Sequence, residues 1–71
     1  MQKRSLTIAG HRTSIALEPE FWEGLEALAL RRNLRLAALI EELDRSRETP
    51  NLSSALRVAV LRDAQDRSPE A

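Results

Sequence analysis

The side chains able to contact an anion are gathered in two short basic segments of this sequence. Residues 1–17 carry three lysine or arginine side chains and no acidic one, and residues 31–35 carry three arginines. These basic residues are Lys3, Arg4, Arg12, Arg31, Arg32 and Arg35. Two such segments form a nucleic-acid-binding surface when the fold brings them to one face. The formal net charge of zero argues against a protein that binds nucleic acid by electrostatic attraction alone.

The residues on which most enzymes and metal sites depend are missing. The chain has no cysteine, and its single histidine, His11, has no evident acidic partner in the sequence. No glycine-rich phosphate-binding loop is present. Four glutamates follow at close spacing and are interpreted as the solvated face of a helix: Glu18, Glu20, Glu23 and Glu26. We therefore expect no enzymatic activity, no cofactor and no metal site.

The length of 71 residues allows one domain with a small core. A chain this short usually needs a disulfide, a metal or a partner subunit for stability, and here only the partner subunit remains. No apolar run approaches the length of a transmembrane helix, and the N-terminus lacks a secretory signal. We expect a cytoplasmic protein with no membrane partner.

Residues 12–17 alternate polar or small residues with apolar ones, which predicts a strand with one buried face, and His11 precedes this strand. Pro19 ends the strand and suits the first position of a helix. A single strand leaves its backbone donors and acceptors unpaired, so we expect a second copy of the chain to supply the partner strand. Residues 1–10 are either a disordered basic arm or contain a short extra strand over residues 5–8, with Gly10 at the bend.

Apolar residues at helical spacing predict three helices, over residues 19–32, from 36 to 45 or 46, and over residues 52–66. Asn33 is a candidate left-handed C-cap of the first helix, and Asn51 is the favoured N-cap of the third, with Thr49 and Ser53 as alternatives. The predicted organisation is an N-terminal segment, a folded domain and a frayed tail, over residues 1–10, 11–66 and 67–71.

Several helical residues do not fit the simplest pattern. Gly24 costs the first helix about 1 kcal/mol relative to alanine, and it either permits close packing or is only tolerated. Val58 and Leu61 lie off the apolar stripe of the third helix and indicate a second contact. We interpret the adjacent Phe21 and Trp22 as core and dimer interface rather than a surface on which bases stack.

The order of strand, helix, three-residue turn and helix resembles the ribbon-helix-helix family of DNA-binding proteins. Residues 12–43 carry this resemblance, in the segments Arg12-Thr13-Ser14-Ile15-Ala16-Leu17, Glu18-Pro19-Glu20 and Asn33-Leu34-Arg35. Over nearly the whole chain, the pattern is similar to a bacterial subfamily with a third helix, in the segments SLTIAGHRTSIALEPEFWEGL, NLRLAALIEELD and NLSSALRVAVL. The resemblance implies a mainly α fold with one N-terminal strand, two core helices and an additional C-terminal helix.

The resemblance also implies an intertwined homodimer, whose two strands pair antiparallel into a ribbon that enters the major groove of DNA. In this family, the side chains on the outer face of the ribbon contact base edges. The residues at these positions here are Arg12, Ser14 and Ala16. Arg12 can donate two hydrogen bonds to a guanine, whereas Ser14 discriminates poorly and Ala16 offers only a methyl group. The implied residues of the dimer core are Ile15, Leu17, Trp22, Leu25, Leu36, Ile40 and Leu43.

A second family feature is the N-terminus of the helix after the turn, where free backbone N–H groups bind a DNA phosphate. The implied phosphate contacts here are Arg35, Leu36 and Ala37. The family usually has glycine where this chain has Asn33, and serine or threonine where it has Arg35. Asn33 still tolerates a left-handed backbone, while Arg35 cannot cap the helix but can reach a phosphate as a charged donor. Further candidate phosphate contacts are His11, Lys3 and Arg4.

The function that the resemblance implies is sequence-specific binding of double-stranded DNA by a homodimer, as in a small transcriptional repressor. The alternative is a dimeric protein-interaction module, or an antitoxin-like partner protein, with weak or no DNA binding. The neutral charge, the small outward side chains and the altered start of the second helix favour this alternative.

Overall fold

The computed structural model describes residues 1–67, which form two strands followed by three helices. These elements are β1 (Gln2–Ile8), β2 (His11–Leu17), α1 (Pro19–Arg31), α2 (Leu36–Ser46) and α3 (Leu52–Arg67). The predicted strand and all three predicted helices are confirmed. The tail predicted for residues 67–71 lies outside the described residues, except for Arg67 at the end of α3.

The two strands form an antiparallel hairpin within one chain, paired from Gln2 opposite Leu17 to Ile8 opposite His11. Ala9 and Gly10 make the turn with φ values of 52° and 83°, and two positive φ values are what a tight hairpin turn requires. The prediction of one strand per chain is therefore corrected to two, and β2 does not need a second copy for its first partner. Sequence periodicity left this open because the apolar alternation of β1 is short and interrupted by basic residues.

The core lies between the inner face of the hairpin and the helices. Both strands and all three helices contribute to it, and the buried side chains are Ile8, Ile15, Leu17, Trp22, Leu25, Ala29, Leu39, Ile40 and Leu56. Both strands face the helices with alternate residues, as the strand period requires. The opposite face of the hairpin is left to solvent.

The turn between α1 and α2 closes as predicted, with Asn33 in the left-handed region at φ 57°. The N–H of Leu34 donates to the carbonyl of Ala29 at 2.8 Å, and the N–H of Asn33 donates to the carbonyl of Leu30 at 3.1 Å. This pair of bonds is the Schellman motif, which satisfies carbonyls at the end of a helix.

The start of α3 is capped as predicted, because Asn51 Oδ1 accepts a hydrogen bond from the N–H of Ser54 at 3.1 Å. α3 packs on the core through Leu56, which is fully buried. On its opposite side, Val58 and Leu61 are 43% and 53% exposed. The second contact expected for these two side chains therefore stays a prediction.

Candidate nucleic-acid interface

The solvent-facing side of the hairpin carries six side chains, three from each strand. Lys3 lies opposite Ala16, Ser5 opposite Ser14, and Thr7 opposite Arg12; we call these six residues the outer sheet face. Ala16 is half-buried and the other five are exposed. None of the six is acidic. The two cations and three hydroxyls of this face are groups that can donate hydrogen bonds to anions and base edges.

The hydroxyls of Ser5 and Ser14 meet at the centre of the outer sheet face, with 3.3 Å between their Oγ atoms. Lys3 and Arg12 lie towards opposite ends of the face, on different strands. The predicted base-contacting residues Arg12, Ser14 and Ala16 therefore do share one face, as expected. Sequence reasoning missed Ser5 and Thr7, whose only signal was their alternation with Leu6 and Ile8.

Although the formal net charge is zero, the basic side chains that form no ion pair are unevenly distributed over the described residues. Six arginines form ion pairs with carboxylates, namely Arg4, Arg31, Arg32, Arg47, Arg57 and Arg67. The basic residues without a carboxylate partner among residues 1–67 are Lys3, Arg12, Arg35, Arg45 and Arg62. Two of these five stand on the outer sheet face, and Arg35 is at the start of α2. Within residues 1–67, the two cations on the outer sheet face are therefore not neutralised by a carboxylate.

Arg4 lies on the other side of the hairpin. Its Nη1 donates to Glu26 Oε2 at 2.8 Å, and its guanidinium carbon lies 4.6 Å from the centroid of the Trp22 ring. The Trp22 indole N–H also donates to the backbone carbonyl of Gln2 at 2.8 Å. Arg4 therefore attaches β1 to α1, and the structure does not bring it together with the predicted phosphate contacts.

His11 is exposed at the first position of β2. By strand alternation it belongs to the side of Thr13 and Ile15, not to the outer sheet face. It is opposite Ile8, beside the hairpin turn. A contact between His11 and DNA would therefore come from the end of the hairpin.

The N-terminus of α2 is free of capping side chains. Arg35 is the N-cap residue in an extended conformation (φ −71°, ψ 153°), its side chain makes no capping hydrogen bond, and the first turn contains no acidic residue. Arg35 is exposed, while Leu36 and Ala37 are half-buried. The first N–H groups of a helix have no partner within the helix, so they and the positive end of the helix dipole are available to an anion.

β2 has a second edge that β1 does not use. In a hairpin with a two-residue turn, the pair that flanks the turn is hydrogen-bonded, and bonded and non-bonded pairs then alternate. The flanking pair is Ile8 and His11, so the backbone N–H and C=O groups of Arg12, Ser14 and Ala16 point to the free edge.

This free edge borders a crevice of about 440 Å³, lined by residues 13–15 of β2 and by residues 50–53 at the start of α3. No β1 residue lines the crevice. It therefore lies on the side of β2 away from β1, where extended backbone from another chain can pair with the strand.

The residues predicted for the dimer core lie in the core of the single chain. Ile15, Leu17, Trp22, Leu25 and Ile40 are buried, and Leu36 and Leu43 are half-buried and pack against them. Ile15 and Leu17 thus face inward as predicted, and the role of these seven residues in a dimer stays a prediction. Among residues 1–67, no cluster of histidine, cysteine or acidic side chains has the composition to hold a metal ion. None of the described helices is both long and apolar enough to cross a membrane.

Comparison with known proteins identifies a matching family and a similar solved structure. A family profile described as "Ribbon-helix-helix domain" matches residues 1–64. The fold is similar to the solved structure of an uncharacterized protein from Bordetella pertussis Tohama I, with 39% sequence identity and a TM-score of 0.73. That alignment covers 97% of this chain and 62% of the other, so this chain spans less than two thirds of the solved chain's length. No protein with a curated description matches significantly.

Proposed function

The chain belongs to the ribbon-helix-helix family, and from this premise we propose that it binds double-stranded DNA sequence-specifically as a homodimer. The family consists of DNA-binding and regulatory proteins, so the role that follows is that of a small transcriptional regulator. The binding surface is the outer sheet face, together with the N-terminus of α2.

The observation that carries this proposal is the position of the free positive charge. Lys3 and Arg12 stand on an exposed face without acidic residues, although the chain as a whole is neutral. Phosphate contacts supply a large share of the affinity of such proteins, and cations that no carboxylate already holds are suited to make them.

The side chains of β2 recognise the bases. Arg12 presents a forked donor that matches O6 and N7 of guanine in the major groove. Ser14 can donate or accept, and Ala16 can touch the methyl group of thymine. Since one side chain of the three discriminates strongly, we expect each half-site to contain one dominant guanine.

The N-terminus of α2 fixes the position of the protein along the DNA. The free N–H groups of Leu36 and Ala37 and the guanidinium of Arg35 are suited to one phosphate per subunit. These contacts do not depend on base identity. Removing Arg35 is therefore expected to weaken binding to all sequences alike.

The second copy pairs through the free edge of β2. Antiparallel pairing of two β2 strands about a two-fold axis places both copies of Arg12, Ser14 and Ala16 on one surface. A symmetric dimer of this kind reads a pseudo-palindromic site.

The test is DNA affinity as a function of salt concentration, measured on a selected operator and on an unrelated duplex. The wild type should bind both at low salt, prefer the operator, and lose affinity with salt with a slope that reflects several phosphates. Arg12→Ala should abolish most of the preference, by about 1–3 kcal/mol per half-site. Arg35→Ala should reduce affinity for both duplexes equally.

Arg62→Ala is the matched control, because Arg62 is another arginine with no carboxylate partner among residues 1–67 and lies on α3. A wild-type protein with no salt-dependent DNA binding at micromolar concentration would contradict the proposal.

A dimeric protein-interaction module is the second candidate function. The exposed Val58 and Leu61 on α3 favour it, because apolar side chains on the outside of a helix suit a protein partner. A dimer that fails to bind DNA in the salt experiment but sediments as a larger complex with a protein partner would support this candidate.

A further inference from the structure

We propose that β1 is a second DNA-contacting strand, in which Lys3, Ser5 and Thr7 bind the phosphates that flank the groove read by β2. This inference rests on the proposed function, and it adds a strand that the single-strand ribbon implied by the sequence does not contain. It also gives the two strands different roles, which we call the division of labour: β2 contacts the bases and β1 binds the phosphates.

The first argument is the register of the hairpin. Lys3, Ser5 and Thr7 are exposed and lie on the same face as the three outward residues of β2. A duplex that touches Ser14 meets Ser5 as well, because the two Oγ atoms are 3.3 Å apart. The outer sheet face is therefore one surface built from both strands.

The second argument is the width of the sheet. Neighbouring strands lie about 4.8 Å apart, so in the order β1–β2–β2–β1 the two outer strands are about 14 Å apart. The major groove is about 12 Å wide and admits a two-stranded ribbon. The central β2 pair therefore fits into the groove, while each β1 lies over a sugar-phosphate backbone.

The third argument is the chemistry of the side chains on β1. An ammonium group and two hydroxyls donate hydrogen bonds to phosphate oxygens, whereas none of them has the forked geometry that identifies a base. Among residues 1–67, Lys3 has no carboxylate partner. Its neighbour Arg4 faces the other way and is held by Glu26 and Trp22.

The position of β1 is fixed before any DNA arrives. The carbonyl of Gln2 accepts a hydrogen bond from the Trp22 indole at 2.8 Å, and the N–H of Ala9 donates to Glu41 Oε2 at 2.8 Å. These contacts hold both ends of β1 on the helices. A held strand loses less conformational entropy on binding than a disordered arm would.

The experiment compares the full-length wild type with Lys3→Ala, Thr7→Val and the control Arg62→Ala. Affinities for the operator, single-base variants of it and an unrelated duplex are measured at several salt concentrations. Lys3→Ala should weaken binding to every duplex by the same factor and reduce the salt slope by about 2 per dimer. Thr7→Val should weaken binding at least about fivefold per dimer without changing the slope. Base preference should be unchanged in both.

Circular dichroism and the thermal midpoint verify that each variant is folded. A Lys3→Ala variant that matches Arg62→Ala in slope and affinity, while the wild type binds DNA, would overturn the role of β1 and leave DNA binding through β2 and the N-terminus of α2 in place. A changed base preference in Lys3→Ala would overturn the division of labour, because it would place β1 inside the groove. A wild type that does not bind DNA would overturn both proposals.

Discussion

Gly24 lies where α1 and α3 pack closely against each other. A Cβ atom added to it would lie 2.5 Å from Cγ1 of Val60. Valine has one strongly preferred rotamer in a helix, so its methyl groups cannot rotate away at low cost. The glycine therefore permits the close packing of the two helices, which was one of the two interpretations that the sequence left open.

Gly24→Ala tests this contact. Alanine favours the helix by about 1 kcal/mol, but overpacking a core contact costs about 1–3 kcal/mol. We expect the free energy of unfolding to fall by up to about 2 kcal/mol, measured by urea denaturation. Val60→Ala in the Gly24→Ala background removes the clash and should recover part of the loss. A single Gly24→Ala variant more stable than the wild type would show that α3 does not pack here.

At the scale of elements, ion pairs join α3 to α1 at both ends of the interface between these two helices. Arg57 Nε donates to Glu18 Oε1 at 3.0 Å, just before α1. Near the other end, Arg31 forms an ion pair with Asp63, which Arg67 also contacts at 3.1 Å. The hydrogen bond from Arg57 lowers the pKa of Glu18, and the hydrogen bond from Arg31 lowers the pKa of Asp63.

These lowered pKa values predict an acid-sensitive contact between α1 and α3. A carboxylate whose pKa is lower in the folded state stabilises the fold above its ordinary pKa and loses this effect as the pH falls through the folded value. The free energy of unfolding should therefore decrease as the pH falls below about 4. Denaturation midpoints between pH 7 and pH 3 measure the effect.

The double variant Glu18→Gln, Asp63→Asn should have a flatter pH dependence than the wild type. Glu20→Gln serves as the control, because Glu20 has no ion pair among residues 1–67. If the double variant keeps the wild-type slope, other carboxylates control acid unfolding.

Helices and strands were predicted correctly where the spacing of apolar residues agreed with the residues that mark the ends of an element. The prediction was incomplete where these two features disagreed. The first helix has Pro19 at its start and Asn33 just beyond its end, so its bounds followed from the sequence. β1 has no such consistent signal, since Lys3 and Arg4 suit a basic arm as well as a strand. The pairing of β1 with β2 and the contacts of Arg4 with Glu26 and Trp22 on α1 distinguish the two.

At the scale of the whole molecule, the hairpin shows that formation of a β-ribbon and formation of a dimer are separate questions, although the sequence suggested that one required the other. β2 obtains one partner strand from its own chain, so the existence of the ribbon no longer implies a second copy. The proposed dimer uses the free edge of β2, where the backbone groups of Ser14 face the crevice beside α3.

Ser14→Pro tests pairing at this edge. Proline removes the N–H that points away from β1, so the β1–β2 hydrogen bonds remain while a partner strand is blocked. We expect the dimer dissociation constant to rise at least about tenfold, measured by sedimentation equilibrium. Thr13→Pro is the comparison, since it removes an N–H directed at β1 and should instead destabilise the hairpin. A Ser14→Pro variant that dimerises like the wild type would place the interface elsewhere.

The candidate site was only partly predictable for a physical reason. Alternation along β2 is local, so Arg12, Ser14 and Ala16 could be placed on one face without knowledge of any partner. Ser5 and Thr7 became part of that face only through cross-strand register, which depends on a turn with two positive φ values at Ala9 and Gly10.

The sequence by itself determined the order of the elements, the inward and outward residues of β2 and the caps at Asn33 and Asn51, because these depend on neighbours a few positions apart. The tertiary structure decided which charges are free. An ion pair such as Arg57 with Glu18 joins residues 39 positions apart, and no periodicity records it. Only the tertiary structure therefore shows that Lys3 and Arg12, on one face of the hairpin, have no carboxylate partner among residues 1–67.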